Sequence, residues 1–88
     1  MNIYPSKEFL RAYKRITKRR SNLKEKVKSK INLFELNPLH PSLKLHKLKG
    51  KQLDNWSISL EKDLRLIFTY VPDGIILIDI GKHEEVYQ

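Results

Sequence analysis

The 88 residues hold three histidines and no cysteine, so thiolate chemistry and Cys-based zinc sites are outside the chain's means. What remains is a set of basic and titratable groups in its second half: Lys44, His46, Lys47, Lys49, Asp63, Arg65, His83 and Tyr87. Groups of these types suit cleavage of RNA without a metal. Such a reaction needs a base to take the ribose 2′-hydroxyl proton, cations to stabilise the extra charge on phosphorus, and an acid for the departing 5′-oxygen. Histidine is the natural proton carrier, because its unperturbed pKa of about 6.5 lies near working pH. No Gly-rich phosphate loop, HExxH pair, nucleophile elbow or EF-hand loop is present. Nucleotide phosphoryl transfer, zinc hydrolysis and serine hydrolysis are therefore without support. His40, next to Pro41 in a loop, reads as an exposed histidine rather than a catalyst.

The elements that must position these groups follow from periodicity. Asn2 to Tyr4 is a candidate edge strand, after which Pro5 and Ser6 offer a stop and an N-cap. Phe9, Tyr13 and Ile16 recur at helical spacing with Leu10 and Ala12 beside them, while Arg11, Lys14, Arg15 and Lys18 fall on the other side. Past Lys18, Arg19 and Arg20, with Ser21 and Asn22 as cap candidates, Leu23, Val27, Ile31 and Phe34 form the stripe of a second helix. Asn37 and Pro38 stop it. Leu43 and Leu45 alternate with Lys44 and His46 as in a strand with one covered face, ending near Lys47. Trp56, Ile58 and Leu60 alternate with Ser57, Ser59 and Glu61, which places the serines and the glutamate together on the opposite side. Leu64, Leu66, Phe68 and Tyr70 share one face of the next strand, with Arg65, Ile67 and Thr69 on the other. Pro72, Asp73 and Gly74 make a turn, and Ile75 to Ile80 is apolar on both faces except for Asp79, as a central strand is. The expected architecture is one α+β domain over residues 1–88. An N-terminal strand and a helical hairpin pack on one face of a mostly antiparallel sheet of about four strands, and the other face is open and polar.

Charge is unevenly distributed along this framework. The net charge is +8, and between Lys7 and Lys30 eleven basic residues face only Glu8 and Glu25. Lys44, Lys47, Lys49 and Lys51 add four more without an acid, whereas the stretch from Gln52 to the end carries three bases against seven acids. Such a basic half suits a polyanion, a phosphate backbone above all, and an acidic protein would satisfy it equally. No apolar run approaches membrane length, and Asn2, Tyr4 and Lys7 do not resemble a signal peptide. The expected setting is the cytoplasm, without membrane, metal or small-molecule cofactor.

The order of elements, the segment HKLKGKQLDNWSISLEKDLRLIF and the ending IDIGKHEEVY resemble the RelE/ParE superfamily of bacterial toxins, specifically its RelE- and YafQ-like ribonucleases. The resemblance runs over nearly the full length and implies a type II toxin–antitoxin module. In it the toxin enters the A site of the 70S ribosome and cuts mRNA, and an antitoxin wraps and silences it. The same resemblance implies that Arg65 stabilises the transition state and that His83 is a catalytic histidine. It implies that Tyr87 stacks on a base or assists proton transfer, that His46 and Asp63 belong to the site, and that Lys44, Lys47, Lys49 and Lys51 bind RNA. Where YafQ-like members carry a further histidine, this chain has Ser59. The alternative within the superfamily is a ParE-like inhibitor of DNA gyrase, a binding protein needing no acid–base groups. A third reading is an inactive member kept for antitoxin binding and promoter autoregulation.

Overall fold

Ser6 fixes the start of the helical layer: its side chain accepts from the Phe9 amide at 3.0 Å, capping one of the helix's otherwise unpaired N–H groups. A computed structural model describes residues 1–52 and 54–82. In chain order it contains β1 (Asn2–Pro5), α1 (Lys7–Arg19), α2 (Asn22–Leu36), β2 (His46–Lys47), β3 (Trp56–Glu61), β4 (Leu64–Val71) and β5 (Gly74–Lys82). The strands form one five-stranded sheet in the order β1-β5-β4-β3-β2, in which only the β1–β5 pair is parallel. The α+β reading holds, with β1 as the additional strand: it joins the edge of the sheet beside β5 and does not pack on its face.

Phe9 and Ala12 of α1 and Leu23, Val27 and Phe34 of α2 are buried against Ile58, Leu60, Leu64, Leu66, Phe68, Ile75, Leu77 and Ile80 of the sheet. Their side chains carry the hydrophobic driving force of the fold. Leu10 departs from the expected inner face and is 49% exposed, because the apolar arc of α1 is centred on Phe9 and Ala12. The loop after α2 also differs. Leu43 belongs to a single 3₁₀ turn, Pro41–Leu43, and not to a strand. His40 caps that turn by accepting from the Ser42 amide at 3.1 Å. Proline at its start favours a turn over an extended conformation, so β2 shrinks to two residues. It ends at Lys47, as the pattern indicates.

The largest correction concerns the second sheet face. It is not open: Ser57, Ser59, Arg65 and Ile67 are all buried, Ser57 completely. Leu48 closes over Ile67 with Ile78 against them, a separate small apolar cluster. Leu48 departs from the Leu43/Leu45 pattern because it serves this second cluster. Glu61 departs as well. Between the paired positions Ser59↔Arg65 and Glu61↔Leu64, Leu60 is an extra residue. This bulge turns Glu61 toward the helices, where it meets Arg20 and Lys26.

Candidate active site

The register of the sheet shows which side chains share a face. His46, Ser57, Ile67 and Asp79 form one row across β2, β3, β4 and β5, and Ser59, Arg65 and Gly81 form the neighbouring row on the same face. Arg65 and His46 thus share the face opposite the helices. Their Cα atoms are separated by two strand spacings and two residues, about 12 Å. Arg65 stands between Ser59 and Gly81, two of the smallest side chains available, and is 8% exposed. That is the arrangement a long guanidinium needs to lie across a sheet. Its surroundings have lower polarizability than water, so its field on a nearby phosphate is stronger than that of a surface arginine.

His46 is exposed, and its Nδ1 lies 3.2 Å from the carbonyl oxygen of Lys44. A carbonyl can only accept, so Nδ1 carries the proton and the basic lone pair falls on Nε2. Lys44 holds that carbonyl in place from a left-handed conformation, φ 46°, uncommon for a residue with a side chain. The same residue closes the 3₁₀ turn, its amide donating to the Pro41 carbonyl at 3.3 Å.

The other expected site residues divide. Asp63 is exposed in the tight turn between β3 and β4. Lys44, Lys49 and Lys51 are exposed along the segment that flanks β2. Lys47, opposite Trp56, lies in the row that continues to Phe68 on the helix side, so it does not share the face of Arg65. His83 and Tyr87 lie outside the described residues. Among the described residues no three His, Cys, Asp or Glu side chains converge as metal ligands would, and no helix is long and apolar enough to cross a membrane.

Sequence reasoning missed the small-residue frame. Ser59 and Gly81 read in the sequence as a polar strand position and a strand terminator. Their pairing to Arg65 from both sides depends on the Leu60 bulge and on a second one between Ile67 and Phe68, where Ile78 is the extra residue. The electrostatics around Glu61 was likewise hidden. Hydrogen bonds from Arg20, then from Lys26, hold its carboxyl down at about 2.

Residues 1–88 match the model of the YafQ toxin family, bacterial toxins of type II toxin–antitoxin systems. No curated protein sequence matches the chain. Among solved structures, YafQ from Escherichia coli strain BL21(DE3) superposes with a TM-score of 0.81 at 21% identity, over 99% of this chain and 98% of that one. A chain of the E. coli DinJ–YafQ complex gives 0.80 at 22% identity, over 99% and 98%. A chain of the YoeB–YefM complex from Staphylococcus aureus gives 0.76 at 21% identity, over 94% and 97%. At these identities the likeness is one of fold.

Proposed function

Because the chain belongs to the YafQ family of toxins of bacterial type II toxin–antitoxin systems, we propose that it arrests translation by cutting mRNA in the ribosomal A site. The observation that supports this most is the shared face of Arg65 and His46. It pairs a sequestered cation with a histidine whose basic nitrogen is set by its neighbour.

The reaction is transesterification. His46 Nε2 takes the proton of the 2′-hydroxyl, and the 2′-oxygen forms a bond to phosphorus. Arg65 stabilises the additional negative charge on the phosphoryl oxygens. The bond to the 5′-oxygen breaks as His83 donates a proton to it. The products are a 2′,3′-cyclic phosphate and a 5′-hydroxyl, with no oxidant, metal or co-substrate consumed. Asp63 supports the proton traffic from the β3–β4 turn. Tyr87 stacks on a base, and Lys44, Lys49 and Lys51 hold the backbone of the message, with Lys47 at the rim.

The proposed partner is an antitoxin, as DinJ is for YafQ in the E. coli complex. An apolar groove of about 460 Å³ between α1, α2 and β1, lined by Ile3, Phe9, Leu10, Tyr13 and Ile31 among others, is the surface offered to it. Induction of the gene followed by primer extension on cellular mRNA tests the proposal. New 5′ ends within codons are expected from the wild type and none from His83→Ala. Full toxicity of both His83→Ala and Arg65→Lys would show that the assigned site is wrong.

A further inference from the structure

On the helix side of the same sheet end, a pocket of about 250 Å³ is lined by Arg15, Ile16, Arg20, Leu64, Gly81 and Lys82. Its floor is apolar, from Ile16 and Leu64. Its rim is cationic and comes from three places in the chain: Arg15 in the second half of α1, Arg20 just after that helix, and Lys82 at the end of β5. Arg20 is held by two hydrogen bonds to Glu61, which Lys26 also reaches at 3.0 Å. That one carboxylate thus bonds two cations, and among the described residues Arg15 and Lys82, both exposed, have no acidic partner within ion-pair distance. Arg15 also lines a shallow basic depression with Arg11, Lys14 and Lys18, so the pocket continues a cationic ridge running along α1.

Its position gives this pocket meaning. Leu64 pairs with Lys82, and the next pair is Arg65 with Gly81. The pocket and Arg65 thus lie one residue apart on the same two strands, on opposite faces of the sheet. A chain of phosphates crossing the end of the sheet meets both. The pocket is smaller than the roughly 300–1,000 Å³ clefts that enclose whole drug-sized ligands, and an apolar floor under a cationic rim suits one phosphate with its attached sugar. We propose that Arg15 and Lys82, framed by the Glu61-clamped Arg20, form a second phosphate subsite for single-stranded RNA. It grips the strand on the far side of the sheet end from Arg65. This deepens the nuclease reading and rests on it for the identity of the polyanion.

The test is binding of a 2′-O-methylated RNA oligonucleotide, which cannot be cut, to the full chain over a range of salt. Each phosphate neutralised on a single strand contributes about −0.7 to the slope of log affinity against log salt. Arg15→Ala with Lys82→Ala removes one phosphate contact and should flatten the slope by about 0.7, whereas Lys7→Ala with Lys28→Ala, equal in charge and remote from the pocket, should change it by less than half as much. Equal flattening in both pairs would overturn the proposal, because the effect would then be net charge alone. So would a double variant that keeps RNA binding and loses an acidic peptide instead, which would make the pocket a protein-docking site. If the slope falls as expected while wild-type protein cuts no RNA, the subsite stands and the nuclease reading fails. If RNA is cut and the slope does not change, the reverse holds.

Discussion

Arg65 brings its charge into a layer of small side chains, with Ser59 and Gly81 on either side of it. A lysine there would keep the charge and lose the planar fork that binds two phosphoryl oxygens at once. Arg65→Lys should therefore lower RNA cleavage about 100-fold, the effect of removing one preorganised donor from a transition state, while circular dichroism and melting temperature stay close to the wild type. His46 belongs to the same scale. His46→Gln should lower RNA cleavage about 100-fold or more, measured with purified protein at pH 7, because the amide has no basic lone pair to take the 2′-hydroxyl proton. Arg65 is recognisable in the sequence from its position opposite Leu64, Leu66 and Phe68. Its burial is not, since polar neighbours such as Ser57 and Ser59 read as a solvated face. Only the closing of Leu48 over Ile67 shows otherwise.

Two junctions between elements hold the frame. The first is the Leu60 bulge, which turns Glu61 into the helical layer and joins β3 to Arg20 and Lys26. Because the Glu61 carboxyl is lowered from 4.5 to about 2 in the fold, its contribution is complete above the unfolded value and lost as pH falls through the folded one. Glu61→Gln should cost about 1 kcal/mol at pH 7, the upper range for partly exposed ion pairs. In denaturant titrations the gap to the wild type should close as pH drops from 4.5 toward 2. The second junction is the parallel pairing of β1 with β5. A Cβ on Gly74 would lie 1.9 Å from the carbonyl oxygen of Asn2, so Gly74→Ala should unseat β1 and cost about 2 kcal/mol, read by thermal unfolding. Period-2 and helical spacing made the strands and helices legible along the chain. Bulges were not, because an extra residue such as Leu60 or Ile78 fits the apolar pattern and shows only in the register of its partner strand.

At the scale of the whole molecule, the chain presents two kinds of surface. The helical hairpin offers an apolar groove edged by basic residues, and the opposite sheet face holds Arg65 and His46. An antitoxin filling the groove would silence the toxin, so Leu10→Asp, at an exposed groove position, should weaken antitoxin capture at least tenfold in a pull-down while leaving growth arrest intact. The fold was readable from the sequence because each apolar stripe has one partner face. The choice between cutting RNA and inhibiting gyrase was not, because both activities are expected of this superfamily. The most direct test incubates purified protein and programmed ribosomes in excess chelator, then maps RNA 5′ ends by primer extension, with a DNA gyrase supercoiling assay in parallel. The proposed function predicts cuts within the A-site codon that leave 2′,3′-cyclic phosphates, with Arg65→Lys about 100-fold slower and supercoiling unchanged. Intact message together with loss of supercoiling would contradict it.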